Sequence, residues 1–280
     1  MTTIAQALQN AVERLTEQRD TARLDAEVLL MHVLDKPRSH LYAWPERRLS
    51  PAELSRFETL LARRVAGEPV AHLTGQREFW SLPLGVTADT LIPRPETEIL
   101  VEQTLAVLPP NEPLRIADLG TGSGAVALAL ARERHRWQLF ALDRSPACIS
   151  VARHNAERLG IDSPRFLVGH WSAAFATASL DAIVSNPPYV KDGDVHLQSG
   201  DVRFEPLTAL RAGADGLDDI RQLIDDAPRV LRGAGHIFLE HAPEQADEIR
   251  RLLMDKGFIA ITTTPDLGGR ERVTRARCGP

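Results

Sequence analysis

Apolar positions in the first part of the chain recur at helical spacing. Ile4, Ala5, Leu8, Val12 and Leu15 form one such series, and Leu24, Val28, Leu29, Met31 and Leu34 form another before Pro37. Ser50-Pro51-Ala52-Glu53 is a helix start, with Ser as cap, Pro at the first position and Glu at the third. That helix is expected to run through Leu54, Phe57, Leu60 and Leu61 to about Ala66. Residues 1–70 therefore read as a small helical bundle, marginal in size if it stood alone.

The pattern breaks between Gly67 and Pro95, where Pro69, Gly75, Pro83, Gly85, Pro93 and Pro95 punctuate short β-like pieces such as Glu78-Phe79-Trp80 and Leu84-Gly85-Val86-Thr87. A hairpin and linker are expected over 71–95, then a helix over 97–107. From Leu114 the pattern alternates. Strands are expected at 114–118, 138–143, 165–169, 181–185, 235–240, 258–264 and 271–277. Helices are expected between most of them, at 124–133, 146–158, 217–231 and 243–256. Such alternation implies an α/β domain with a mostly parallel sheet covered on both faces. The two successive strands of the tail imply one antiparallel edge strand.

Composition narrows the classes without choosing one. The 280 residues suit one large or two modest domains, and 43% apolar with 25% charged residues is ordinary for a globular protein. Lys and Arg number 33 and Asp and Glu 38, so the net charge is −5, and no global basic balance points to nucleic acid. Arg47-Arg48 and Arg63-Arg64 are too short to make a basic patch. Cys148 and Cys278 lie far apart and outside any metal spacing, so neither a disulfide scaffold nor a zinc site is expected. No basic segment followed by an apolar run opens the chain, and no stretch approaches membrane-spanning length. A cytoplasmic protein is expected, with no membrane partner.

Asp118-Leu119-Gly120-Thr121-Gly122-Ser123-Gly124 sits between the first strand and the first helix of the alternating part. Glycines let the backbone turn tightly and approach a ligand, and the helix start offers N–H groups to electron-rich atoms. The next strand ends at Asp143, placed to accept hydrogen bonds from ribose hydroxyls. The spacing is G-x-G-x-G rather than the G-x-G-x-x-G of nicotinamide enzymes, and no Gly-Lys-Ser/Thr follows. Asp118 just before the loop suits the amino group of a methionine moiety, directly or through water. The combination favours S-adenosyl-L-methionine over a dinucleotide; the competing reading of Gly120 and Gly122 is a plain strand-to-helix turn. Trp171 ends the third strand on the same edge, where it either covers the cofactor or packs in the core.

Asn186-Pro187-Pro188-Tyr189 follows the apolar run Leu180–Val184. Each proline fixes its φ and lacks an N–H, and Pro187 pushes Asn186 toward an extended conformation. A stiff, exposed turn is expected, holding a side-chain amide and unpaired carbonyls at a strand's carboxyl end, where open α/β sheets bind ligands. Taken alone, Asn-Pro also starts ordinary β-turns. Such an acceptor-rich clamp suits a planar –NH2 group. Asn186 and the Pro187 carbonyl would orient its two N–H groups and stabilise the positive charge that develops on methylation. Tyr189 would pack against the planar group and a sulfonium. No general base is required before attack.

These two motifs together resemble class I methyltransferases acting on planar nitrogen, which include adenine N6 and guanine N2 enzymes. Glu78–Leu84, Leu91-Ile-Pro-Arg-Pro-Glu-Thr-Glu98, Val184–Val190 and Gly200–Leu207 narrow the resemblance to the peptide chain release factor glutamine N5-methyltransferases, over nearly the whole chain. The resemblance implies a Rossmann-like class I methyltransferase domain at 96–280, mostly parallel with one antiparallel edge strand, and a small N-terminal helical domain at 1–70 that docks the substrate. It implies methylation of the Gln side chain in the Gly-Gly-Gln loop of class I release factors. It places Gly120, Thr121, Gly122, Ser123, Gly124, Asp143, Trp171 and Asn186 at the cofactor, beside the Asp118 that the loop itself suggests. Asn186, Pro187, Pro188 and Tyr189 would hold the glutamine, with Asn186, Pro187 and Tyr189 as the catalytic set. His170 stands where an acid is common, which puts the adenine contact in doubt, and His241-Ala242 stands where a glycine is frequent. Arg94 and Glu96 are either structural or substrate-facing. The competing readings are an amino-methyltransferase of nucleic acid, which would need a basic groove, and a non-catalytic adaptor, against which both intact motifs argue.

Overall fold

The structure is a computed structural model that describes residues 2–16 and 21–279; residues 1, 17–20 and 280, within the expected ranges 1–70 and 96–280, lie outside the described residues. The chain divides into two compact units, residues 1–76 with 200–204, and residues 77–199 with 205–280.

The first unit is helical: α1 (Ile4–Thr16), α2 (Ala22–Leu34), α3 (Arg38–Ala43), α4 (Pro51–Val65) and α5 (Val70–Thr74). α3 and α5 span one or two turns, too short to show a period in the sequence. At the start of α4, the Ser50 hydroxyl accepts from the Glu53 N–H at 3.2 Å and the Glu53 carboxylate accepts from the Ser50 N–H at 2.7 Å. Such a cap stabilises a helix by about 0.5–2 kcal/mol. Leu8, Leu15, Leu29, Leu30, Phe57 and Leu61 share one core.

Among the described residues of this unit three charged side chains are buried, Asp25, Glu27 and Arg64. Glu27 accepts from Arg23 at 2.5 Å, Arg38 at 2.7 Å and the Tyr42 hydroxyl at 2.6 Å. Burial pushes its carboxyl up, but the bonds from Tyr42, Arg23 and Arg38 outweigh it and hold the pKa below the ordinary value. Arg64 donates to Asp25 at 2.7 Å and to Asp201 at 2.8 Å, and Arg203 donates to the Ala66 carbonyl at 2.6 Å. These bonds tie the segment 200–204 to α2 and α4.

In the second unit β1 (Gln76–Phe79) and β2 (Leu82–Gly85) form a two-stranded sheet. Trp80 and Ser81 join them with φ of 52° and 58°, the left-handed pair that matches strand twist in a two-residue turn. The turn is held because the Trp80 N–H donates to Glu98 at 2.9 Å and the Ser81 N–H to Glu78 at 2.6 Å.

The main elements are α6 (Glu98–Val107), β3 (Arg115–Leu119), α7 (Ala125–Glu133), β4 (Gln138–Asp143), α8 (Pro146–Leu159), β5 (Arg165–Val168), β6 (Leu180–Ser185), α9 (Asp218–Val230), β7 (Leu231–Glu240), α10 (Ala246–Asp255), β8 (Ile259–Pro265) and β9 (Glu271–Arg277). Seven strands form one sheet in the order β5-β4-β3-β6-β7-β9-β8. Strand alternation sends Ile183 into a cluster with α9 and α10, and Ala182 and Val184 into a cluster with α6 and α7.

The mostly parallel sheet with one antiparallel strand is present, but that strand is not at the edge. β9 runs antiparallel to both β7 and β8, so β8 is outermost. The chain leaves β7 through α10, lays β8 one place out, and returns by a short turn into the gap. β7 also starts earlier than expected: Leu231 pairs with Leu180, and a register shift across Gly233–Gly235 resumes pairing at His236 with Ala182. β3 is flanked by β4 on one side and β6 on the other, so the strand order reverses there. Ligands of open α/β sheets bind beyond strand ends at such a reversal.

Candidate active site

A cavity opens at the carboxyl ends of β3, β4 and β6. Its lining includes Asp118, Gly120, Thr121, Gly122, Ser123, Asp143, Trp171, Asn186 and Pro188 among the expected residues, and Thr97, Leu91, Cys148 and His170 besides. Gly124, Pro187 and Tyr189 do not line it. Gly124 instead caps α7 at φ 85°, where a Cβ would come within 3.1 Å of Ala152 and Leu128, so it serves helix packing.

The glycine loop differs from an open cradle of N–H groups. The Gly120 and Thr121 N–H groups donate to the Leu142 carbonyl, Gly122 donates to the Asp143 carboxylate at 3.0 Å, and Gly124 donates to the Thr121 carbonyl. The loop is thus fastened to β4 before any ligand arrives. Gly120 has φ 78°, and a Cβ there would meet the Trp171 ring at 3.3 Å, whereas a Cβ on Gly122 would meet nothing within 4 Å. Trp171 is both a cavity wall and a core residue.

Asp118 is buried under the loop. One of its oxygens accepts from the Thr121 hydroxyl at 2.6 Å and the Ala127 N–H at 3.1 Å. Burial dominates these bonds, and the Asp143 charge adds to it, so the carboxyl rises to about 7. Asp143 accepts from Gly122 and, at 2.9 Å, from the Ser145 N–H. Asn155 escaped notice in the sequence because a mid-helix Asn carries no motif. Its amide donates to the Ser123 and Gly85 carbonyls at 2.9 and 3.0 Å and accepts from the Gly85 N–H at 2.7 Å, tying the loop to β2.

Beyond β6 residues 186–189 form no turn. Pro187 is buried, and Val190 pairs with Arg211 in a parallel bridge. The expected exposed turn is absent because the following backbone is claimed: the Gln245 side chain donates to the Tyr189 carbonyl at 3.0 Å, and the Val190 N–H donates to Leu210. Asn186 donates through Nδ2 to the Thr97 hydroxyl at 3.2 Å, which leaves its Oδ1 as the acceptor. Tyr189 packs on the core, and its hydroxyl donates to Glu240 at 3.3 Å.

Glu240 is 1% exposed at the end of β7. Burial raises its carboxyl to about 7 against the opposing influence of Thr97, Arg272 and Tyr189, with the Glu96 charge adding to the rise. Burial, then the Glu240 charge, pushes the Tyr189 phenol up as well. Neither Thr97 nor Glu240 stands out in the sequence, since a Thr at a helix start and a Glu after an apolar strand are commonplace.

Glu205 is buried, accepts from the Ile92 N–H at 3.0 Å and pairs with Arg94. Arg94 therefore binds the 92–94 segment to the loop that also supplies Pro206 and Thr208 to the cavity wall. His241 is buried between the Ala242 carbonyl at 2.9 Å and the Thr274 hydroxyl at 2.8 Å, and burial lowers its pKa. His170 is exposed on the cavity rim. Among the described residues no group of His, Cys, Asp or Glu is placed to hold a metal, and no helix is long and apolar enough to cross a membrane.

The cavity suits S-adenosyl-L-methionine. Leu91, Leu142 and Trp171 give it apolar walls, Asp143 an acidic end and Asp118 a buried carboxyl near the loop. A reversed parallel sheet with one inserted antiparallel strand, a G-x-G-x-G loop and Asn-Pro-Pro-Tyr after the fourth strand together define a class I S-adenosylmethionine-dependent methyltransferase. The solved methyltransferase from Pyrococcus furiosus shares this fold, with a TM-score of 0.54 at 16% identity, covering 80% of this chain and 100% of that one. The PrmC N-terminal domain model matches residues 6–75 and the methyltransferase small domain model residues 96–203. The release factor glutamine methyltransferase of Vibrio cholerae is 49% identical, covering 97% of this chain and 96% of its own. That of Escherichia coli K12 is 47% identical, covering 96% and 97%. The chain belongs to the release factor glutamine methyltransferase family.

Proposed function

We propose that this protein methylates the side-chain amide nitrogen of the glutamine in the Gly-Gly-Gln motif of class I peptide chain release factors, using S-adenosyl-L-methionine. The observation that carries the reading is the Asn186 amide. Its Nδ2 is held by Thr97, so an acceptor oxygen remains at the wall of the cavity. An amide –NH2 is a poor nucleophile whose lone pair is delocalised, so alignment supplies most of the catalysis. Bound S-adenosyl-L-methionine supplies an electrophilic methyl group. Asn186 Oδ1 accepts from the –NH2 group of the glutamine and stabilises the positive charge that grows on its nitrogen, while Pro187, buried and off the cavity wall, stiffens the segment behind it. The proton leaves after transfer, so no side chain is assigned as a base. Asp118, Gly120, Thr121, Gly122, Ser123, Asp143 and Trp171 form the cofactor side; Gly124 shapes the helix start behind them.

On this reading residues 1–70 dock the release factor, 71–95 form the hairpin and linker, and 96–280 carry the reaction in the cytoplasm. The test is mass spectrometry of a release factor incubated with the protein and isotopically labelled cofactor. A single added methyl on the Gly-Gly-Gln glutamine is expected, and Asn186→Ala lowers its rate about 100- to 1,000-fold. Methyl transfer to DNA or RNA in place of the release factor overturns the reading.

A further inference from the structure

We propose that Glu240 is a positioning residue of the amide clamp, fixing Asn186 through Thr97 and Tyr189 directly. The inference deepens the glutamine reading and rests on it. Glu240 is buried at the end of β7, the strand beside the one that carries Asn186. One carboxylate oxygen accepts from the Tyr189 hydroxyl, while Oε2 is buried with no full hydrogen bond of its own. No hydrogen bond joins the Thr97 hydroxyl to Glu240 among the described residues, but the hydroxyl accepts from Asn186 on one side and favours the charged carboxylate on the other.

The direction of the bonds matters. The Thr97 oxygen accepts from Asn186 Nδ2, so the single Thr97 proton is free to point at Glu240. A carboxylate accepts and never donates, so an ionised Glu240 holds the Thr97 proton on its own side. That fixes Thr97 as acceptor toward Asn186, and Asn186 then has to present its oxygen, not its –NH2, to the cavity. A reversed amide would meet a substrate –NH2 with donors and bind it badly. The same carboxylate anchors Tyr189, so both ends of the Asn-Pro-Pro-Tyr segment hang on one side chain.

Among the described residues no direct ion pair satisfies Glu240. Arg272 on β9 exerts only a charge at a distance, since its hydrogen bonds go to Asp266 and to the His241 carbonyl. Glu96, beside Thr97, opposes ionisation, and His241, which follows β7, has its pKa lowered by burial. Arg94 and Arg272 face Tyr189 and pull its phenol down against burial. The carboxyl at about 7 therefore sits near its midpoint at neutral pH.

The experiment compares the full-length protein with Glu240→Gln, Thr97→Val, Thr97→Ser and the Glu240→Gln/Thr97→Val double variant. Methyl transfer to a Gly-Gly-Gln release factor is measured from about pH 6 to about pH 8.5, with cofactor affinity by calorimetry and melting temperature alongside. Glu240→Gln is expected to lower kcat about 10- to 100-fold, with the KM for the release factor within about threefold. The wild-type kcat rises through about pH 7, and this rise is absent in Glu240→Gln. Thr97→Val reproduces the loss, Thr97→Ser restores kcat, and the double variant is no slower than the worse single, as for residues acting in series. A Glu240→Gln protein with wild-type kcat and pH profile overturns the proposal, and so does an additive double variant. If Glu240→Gln fails to fold, the Thr97 pair decides by the same kcat criterion. Wild-type protein that transfers no methyl to glutamine overturns the substrate reading itself, and this proposal with it.

Discussion

Glu27 in the helical unit and Glu240 in the catalytic unit are both buried, and their surroundings treat them in opposite ways. Glu27 in the helical unit receives hydrogen bonds from two arginines and a tyrosine, and its carboxyl is held below the ordinary range. Glu240 in the catalytic unit receives one long bond from Tyr189 and rises to about 7. Both are closed to solvent, but Glu27 lies beneath two exposed arginines near the surface whereas Glu240 sits deep at a strand end, so depth and the number of donors act together. A fully satisfied carboxylate rivets helices together, whereas an under-satisfied one keeps acceptor capacity for its surroundings and costs stability.

The largest effect is expected where the catalytic unit leaves an acceptor open. Asn186→Ala should reduce methyl transfer about 100- to 1,000-fold, while calorimetry shows cofactor binding retained. Equal loss of binding and turnover would mean that Asn186 serves the cofactor alone.

Next comes stability, where the two glutamates should differ in sign. Glu240 has a folded pKa above its unfolded value of 4.5. Its destabilisation is absent below about pH 4.5, grows as pH rises, and is complete above about 7. Glu240→Gln should therefore melt at or above the wild-type temperature at about pH 8, a relief on the order of a few kcal/mol. Glu27 is depressed, so its contribution is present above about 4.5 and is lost as pH falls through the lower folded value. Glu27→Gln should cost about 1–2 kcal/mol at neutral pH and converge with wild type in acid, as read by thermal melts across pH. If both variants melt lower at neutral pH, the contrast fails.

A smaller effect is expected at Gly120. An alanine there must take φ 78° and press on the Trp171 ring, so Gly120→Ala should weaken cofactor binding by about tenfold in calorimetry. Gly122 has a similar positive φ but open space, so Gly122→Ala separates backbone strain from contact. Smallest is Cys148. Burial and the Asp143 charge push its thiol to about 11, so alkylation of the folded protein at about pH 8 should be slow beside that of Cys278.

Much of this arrangement is legible from local pattern. The alternation after Leu114 carries the sheet, because each strand and helix buries its own apolar period. Gly120, Asp143 and Asn186 are legible because their chemistry comes with a fixed place in a strand-loop-helix unit. What holds them is not. Thr97, Asn155, Glu205 and Glu240 act through contacts across 70 to 113 positions of sequence in cases such as Gly85 to Asn155 and Ile92 to Glu205. A side chain's partners at that separation are decided by strand order. The insertion of β9 beside β7 is hidden for the same reason: β8 and β9 look like a hairpin at an edge whichever of them lies inside.

The return of residues 200–204 to the helical unit bears on how this architecture can be taken apart. Arg64 is charged, 3% exposed, and shared between Asp25 and Asp201. A fragment ending at residue 76 keeps Arg64 and Asp25 but discards Asp201, leaving a buried guanidinium short of one carboxylate. The helical unit is thus not a bead on a string. Grafting it onto another enzyme requires carrying a five-residue clasp from the middle of the catalytic sequence, and exchange of the first 76 residues between relatives should succeed only where that clasp is exchanged too.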